Sequence, residues 1–117
     1  MASRTASPLI HPGIDDFDLF KVMSALTDET RLAIVVGLAA SPGLACSVFR
    51  QDVTASVLTR HFRVLREAGV IRQRDVGTRR FNTLRKEELD QRFPGLLDLV
   101  LKEGAARETP HADTDSA

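Results

Sequence analysis

The residues with the clearest chemical potential are the hydroxyls and arginines that come after Thr54. Ser56, Thr59, Arg60 and Arg63 are separated by steps that place them on one face of a helix. An arginine guanidinium can donate two hydrogen bonds to a guanine edge or to a phosphate, and the hydroxyls can bond bases or phosphates. This face therefore predicts recognition of a polyanion.

The opposite side of the same segment is apolar. Leu58, Phe62 and Leu65 recur at the steps of a buried helical stripe, Thr54 is a suitable N-cap, and Gly69 is a suitable residue to end the helix. A solvated surface helix shows the same pattern. The functional interpretation therefore depends on the segment directly after Gly69.

That segment is a basic hairpin. Residues 70–75 and 79–84 are predicted as short strands, with Val76-Gly77-Thr78 as the turn and Phe81 packed inward. Four arginines decorate this ribbon: Arg72, Arg74, Arg79 and Arg80. They would repel each other unless they are well solvated or paired with anions, and phosphate is an anion that suits them.

The charge distribution favours the same interpretation. The chain has 16 basic and 16 acidic residues and is neutral overall. Residues 54–86 hold nine basic and two acidic residues, a charge of +7, so the remainder carries −7. A basic surface on an otherwise acidic protein is typical of a nucleic-acid interface.

The 117 residues predict one domain at 14–106, between a flexible arm at 1–13 and a disordered tail at 107–117. No apolar run is long enough to span a bilayer, and no signal core precedes the domain, so we expect a cytoplasmic protein. The patterning predicts these further helices: 14–26, 28–40, 45–51, 86–92 and 96–103.

This order of elements resembles the ArsR-type winged helix-turn-helix transcriptional regulators. The resemblance rests on residues 25–32, 59–71 and 77–81. It implies a mainly α fold with a small β-hairpin and a homodimer formed by the first and last helices. The apolar contacts of that dimer are expected at these residues: Phe17, Phe20, Leu96, Leu97 and Val100.

The implied function is sequence-specific DNA binding by a repressor on a pseudo-palindromic operator. Helix 54–68 would enter the major groove, and wing 71–84 would contact the flanking backbone or minor groove. We expect Ser56, Thr59 and Arg60 to read bases. Phosphate contacts are expected from Thr54 and Arg63, and contacts with the backbone or the minor groove from Arg79 and Arg80. His61 is expected to pack or to orient a phosphate.

The signal that such a regulator would sense is open. Cys46 is the only thiol, so we predict no metal site and no cofactor, with a small organic effector or no effector as the default. A thiol- or redox-responsive member of the same fold, and a protein-interaction module that kept the fold, are the alternatives. The sequence shows no nucleophile–base constellation, so an enzyme is not expected.

Overall fold

The structure, a computed structural model, describes residues 9–44 and 53–116, with side chains up to Arg107. Five helices are described: α1 (Leu19–Leu26), α2 (Glu29–Ala40), α3 (Ala55–Ala68), α4 (Lys86–Arg92) and α5 (Leu96–Ser116). Two strands, β1 (Ile71–Val76) and β2 (Arg79–Leu84), form an antiparallel hairpin. This confirms the predicted winged helix-turn-helix class. The predicted helix at 45–51 and Cys46 lie outside the described residues.

Side-chain caps set where the first three long helices begin. Asp28 accepts a hydrogen bond from the Arg31 backbone N–H at 3.0 Å, and Thr54 accepts one from Val57 at 3.3 Å. The predicted helix at 14–26 is divided: a 3-10 turn covers Ile14–Asp16, and α1 starts only at Leu19. Asp18 causes this restart, because its carboxylate accepts the Phe20 N–H at 2.8 Å.

One apolar core joins α1, α2, α3 and the base of the hairpin. The predicted stripe of α3 is confirmed, since Leu58, Phe62 and Leu65 are all buried. Phe17 and Leu97 are also buried within the single chain, at 4% and 1% exposure. These two side chains therefore stabilise the protomer itself, whatever else they contact.

The last helix is longer than its sequence pattern predicts. We expected it to end near Glu103, with a disordered tail from residue 107, but α5 runs to Ser116. Gly104 lies so close to α2 that an added Cβ would be 2.9 Å from a methyl of Leu32, and Arg107 pairs with Glu29. These contacts with α2 hold the helix beyond Glu103, and local periodicity does not reveal them.

The turn of the hairpin decides which side chains face the core. Val76 pairs with Arg79, so the turn has two residues, and Gly77 takes a positive φ of 63°. The outer face of the wing carries Arg72, Arg74, Phe81 and Thr83, and the inner face carries Ile71, Gln73, Asn82 and Leu84. The prediction that Phe81 packs inward was wrong, because in this register the buried residue is Asn82.

Both edges of the hairpin are covered. The backbone of Asn82 exchanges hydrogen bonds with Gly43 and Leu44, at 2.9 and 3.0 Å. On the other strand, His11 Nε2 accepts the Gln73 backbone N–H at 2.9 Å. Residues 9–13 of the arm predicted as flexible are thus tied to the wing, and this protects the exposed strand edge.

The described helices include none with the length and apolarity needed to cross a bilayer.

Candidate nucleic-acid interface

Helix α3 presents its polar face to solvent as the sequence predicts. Ser56, Thr59, Arg60 and Arg63 are all exposed, opposite the buried stripe. No acidic residue occupies the first turn of α3, so the free backbone N–H groups there can receive a phosphate. Exposed hydroxyls, guanidiniums and a helix N-terminus therefore share one accessible surface, which we call the reading face.

Val57 is an exposed apolar side chain at the edge of this reading face. It is 42% exposed and follows Ser56 at the start of α3. An exposed aliphatic side chain among base-reading groups can contact the methyl group of thymine. Only the rotation of α3 about its axis in the folded protein shows this exposure.

His61 is turned away from the reading face toward α2. Its Nδ1 accepts a hydrogen bond from the Arg31 guanidinium at 3.1 Å and lies 3.9 Å from the Asp28 carboxylate. The shorter contact requires a neutral ring that accepts at Nδ1. Arg31 Nε also donates to the Ala25 carbonyl at 2.8 Å, so the arginine ties α1, α2 and α3 together.

Asp28 completes this junction between helices. Its burial by itself would raise its pKa, but the hydrogen bond from the Arg31 backbone and the charge of Arg31 lower the pKa overall. The carboxylate stays ionised at neutral pH and remains an effective cap for α2. The junction fixes the orientation of α3.

Many of the basic side chains in residues 54–86 form ion pairs with other residues of the chain. Arg80 donates twice to Asp75, at 2.7 and 3.1 Å, and Arg72 pairs with Glu88 at 3.2 Å. Lys86 pairs with Asp90 and Asp98. The charge of +7 therefore overstates the number of cations that DNA could reach directly.

Arg85 is the most deeply engaged of these arginines. Its side chain is 3% exposed, donates to both oxygens of Glu88 at 2.7 and 2.9 Å, and donates to the Pro12 carbonyl at 2.8 Å. The guanidinium also lies 4.9 Å from the centre of the Phe17 ring. A buried charge needs such partners, so Arg85 anchors the arm and α4.

Within residues 54–86, four arginines are exposed and form no ion pair with any described residue: Arg60, Arg63, Arg74 and Arg79. Two lie on α3 and two on the wing. Arg79 also lies 5.9 Å from the centre of the Phe81 ring on the outer face. The structure thus separates a small set of available cations from the larger set that the sequence shows.

Arg66, Gln73 and Asn82 form a buried polar connection between α3 and the wing. Arg66 donates to Gln73 Oε1 at 2.7 Å, and Gln73 Nε2 donates to Asn82 Oδ1 at 2.8 Å. Asn82 Nδ2 then donates to the Leu44 carbonyl at 2.9 Å. Gln73 and Asn82 were not predicted as functional residues from the sequence.

The five residues predicted for a dimer interface lie in different environments. Phe17 and Leu97 are buried in the protomer, whereas Leu96 and Val100 are partly buried against its core. Phe20 is 75% exposed. Two further apolar side chains on α1 and α5, Met23 and Leu99, are 42% and 57% exposed.

The described residues contain no group of three His, Cys, Asp or Glu side chains arranged to hold a metal ion. Cys46, the candidate sensor thiol, lies outside them, so its role stays a prediction.

Comparison with known proteins agrees with this geometry. A sequence model of the helix-turn-helix domain matches residues 26–74. The uncharacterized HTH-type transcriptional regulator YceK of Bacillus subtilis (strain 168) is 31% identical over 89 residues, which cover 74% of this chain and 89% of YceK.

Two crystal structures share the fold. One is an ArsR family transcriptional regulator, with a TM-score of 0.56 and 22% identity over 78% of this chain and 97% of its own. The other is a possible transcriptional regulator for arsenical resistance, with a TM-score of 0.54 and 25% identity over 74% of this chain and 94% of its own.

The chain belongs to the helix-turn-helix transcriptional regulators, and the predicted resemblance to the ArsR type is confirmed. Proteins of this class bind DNA and are not enzymes, so the reading face and the wing form a candidate DNA interface.

Proposed function

We propose that this regulator is a repressor that binds a pseudo-palindromic operator as a homodimer, with α3 in the major groove of each half-site. The observation that supports this most is the position of the four available arginines. Arg60 and Arg63 lie on the reading face, and Arg74 and Arg79 lie on the adjoining wing. A major-groove helix flanked by a basic ribbon is the arrangement that a winged helix uses on a duplex.

We assign the contacts by exposure and partners. Ser56, Thr59 and Arg60 read base edges, and Val57 offers a methyl contact. Thr54 and Arg63 contact phosphates. His61 positions α3 through Arg31 instead of reading a base.

On the wing we assign the backbone contacts to Arg79 and Arg74. Arg80 was predicted from the sequence as a second contact, but its guanidinium is held by both oxygens of Asp75. Moving Arg80 to a phosphate would break this bidentate pair, whereas Arg74 makes no ion pair with a described residue.

The dimer would cover the exposed apolar side chains of α1 and α5. Phe20, Met23 and Leu99 are the candidates, with Leu96 and Val100 at their margin. A two-fold axis through this contact would place two α3 helices about one DNA turn apart.

Fluorescence anisotropy tests the proposal. Labelled duplexes, selected from a random pool by the wild-type protein, are compared with scrambled duplexes over a range of salt concentrations. We expect tighter binding to the selected sequence and a steep loss of affinity with salt, because each phosphate contact releases counterions. Absence of duplex binding at low salt would refute the proposal, and a protein partner would not produce this salt dependence.

The wing assignment has a matched control. Arg79→Ala should reduce the slope of log affinity against log salt by about 0.9, the loss of one phosphate contact. The double variant Asp75→Asn/Arg80→Gln removes a charge of each sign and should leave the slope unchanged. If the double variant lowers the slope and Arg79→Ala does not, Arg80 is the wing contact.

A further inference from the structure

We propose that the hydrogen-bonded chain Arg66–Gln73–Asn82 positions the wing on α3, so that the arginines of both elements engage DNA as one rigid unit. Gln73 and Asn82 are then positioning residues that never touch DNA themselves. This inference depends on the proposed function, because it concerns how the wing contributes to DNA binding.

The chain spans the junction between the two elements. It begins at Arg66, in the last turn of α3, crosses the inner face of the hairpin through Gln73 and Asn82, and ends on the Leu44 carbonyl. Gln73 is 4% exposed and Asn82 is completely buried. Water cannot substitute for these partners, so the bonds must persist together in the folded protein.

An apolar contact would hold the hairpin against the core equally well. Burial of apolar surface is non-directional, however, and allows the hairpin to tilt or slide. Hydrogen bonds need short distances and near-linear angles, so three in series restrict that motion. A buried polar cluster at this junction thus favours one orientation of the wing over other, slightly tilted or shifted orientations.

The distance between Asn82 and Arg79 makes the orientation of the hairpin important. Arg79 lies three residues from Asn82 along β2, or about 10 Å at the rise of an extended strand. A tilt of about 20° at Asn82 would move the Arg79 backbone by about 3 Å, which is enough to break a hydrogen bond to phosphate. The affinity of the wing for DNA therefore depends on Asn82, which is remote from the wing tip.

The test is a double-mutant cycle in the full-length protein. Gln73→Leu/Asn82→Leu removes both amides together, which avoids leaving one amide buried without its partner. In the wild type, Arg79→Ala should weaken operator binding on the order of twofold to fivefold, the size of one exposed ion pair. In the double-leucine background Arg79→Ala should have no measurable effect, because the wing no longer meets the phosphate.

Two further variants keep the test decisive. Arg66→Met removes only the partly exposed end of the chain and should also abolish the Arg79 effect. It therefore provides the test if the double-leucine protein fails to fold. Thr83→Val is the control, since it changes an exposed group on the outer face and should preserve the Arg79 effect.

The outcomes separate the two proposals. If Arg79→Ala weakens binding equally in the wild type and in a folded Arg66→Met or double-leucine background, the chain does not position the wing. If the wild type does not bind a duplex at all, the proposed function fails first. If Arg79→Ala has no effect in the wild type while Arg60→Ala does, Arg79 makes no DNA contact, and the role of the chain in positioning Arg79 is refuted.

Discussion

Arg60 and Arg66 lie on the same helix and look equivalent in the sequence, yet they have different roles. Arg60 is exposed on the reading face, whereas Arg66 turns toward the wing and donates to Gln73. Burial is the main cause that lowers the pKa of Arg66, and the nearby charge of Arg80 adds to it. An arginine in this environment is a structural group, so its contribution to DNA affinity is indirect.

Arg60 is the residue whose loss should most relax specificity. We expect Arg60→Ala to weaken binding to the selected duplex by about 1–3 kcal/mol, the value of one bidentate base contact. Anisotropy on duplexes with single base replacements in each half-site measures this loss. One position should lose its base preference.

Arg60→Lys is the matched control for this effect. It keeps the charge but loses the planar fork, so the salt dependence should stay while the base preference falls. Unchanged discrimination in Arg60→Ala would mean that another residue reads that base.

Among the carboxylates that the structure describes, Glu88 has the most strongly shifted pKa. Its hydrogen bonds from Arg85 are the main cause, with the charges of Arg85 and Arg72 adding to them, and its pKa falls from 4.5 to about 2. A lowered pKa in the folded state means that Glu88 stabilises the protein fully above pH 4.5. That stability is lost as the pH falls from 4.5 toward 2.

Glu88→Gln should therefore change how stability depends on acid. Urea unfolding of the wild type should show the free energy of unfolding falling across this pH range, and the variant should show a shallower fall. Glu87→Gln is the control, because Glu87 is an exposed neighbour on α4. Equal acid dependence in the wild type and in Glu88→Gln would refute the pairing.

At the scale of elements, Gly69 joins the reading helix to the wing. It ends α3 with a φ of 89°, and an added Cβ would lie 2.5 Å from Cε1 of Phe17. Any side chain at position 69 would therefore cause both backbone strain and a steric clash with the buried ring of Phe17. The angle at which the wing leaves α3 is set here and is then maintained by Gln73 and Asn82.

Gly69→Ala should lower the free energy of unfolding by about 2–4 kcal/mol, from left-handed strain plus overpacking. Urea denaturation measures it. Gly95→Ala separates the two causes, because Gly95 has a φ of 86° with no atom within 4 Å of its added Cβ. Gly95→Ala should lower the free energy of unfolding by about 1–2 kcal/mol, from strain alone. Equal costs at both positions would exclude the clash with Phe17.

At the scale of the whole molecule, the exposed apolar side chains of α1 and α5 favour a second copy of the chain. A Phe side chain at 75% exposure and a Leu at 57% are both available to a partner. Phe17 and Leu97, which were also predicted at the interface, are already buried in the protomer. The dimer would therefore form over a more peripheral set of residues than the sequence predicts.

Phe20→Glu should convert a dimer into a monomer. Two copies of the ring are lost from the contact, and burial of each is worth about 1.5–3 kcal/mol, so the dimer dissociation constant should rise by about 10²–10⁴. Sedimentation velocity at micromolar concentration measures it. Ile10→Glu is the control, since Ile10 is 73% exposed but lies on the arm. An unchanged sedimentation coefficient for Phe20→Glu would exclude this interface.

The sequence by itself determined the elements and the reading face of this protein. Thr54 and Asp28 are caps, Gly69 is a helix end, and the spacing of Leu58, Phe62 and Leu65 identifies the buried side of α3. These signals are local, because hydrogen bonding within a turn and the helical period act over a few residues.

Only the tertiary structure decided which charges are available and how the wing is held. Arg80, Arg85 and Arg66 find partners through the hairpin register and the packing of distant segments, and the two-residue turn at Gly77 places Asn82 inside instead of Phe81. A shift of one residue in a strand exchanges its faces, and such a shift leaves almost no trace in composition or periodicity. The sequence shows that the protein carries a basic surface, and the fold selects the four exposed arginines that are available on it.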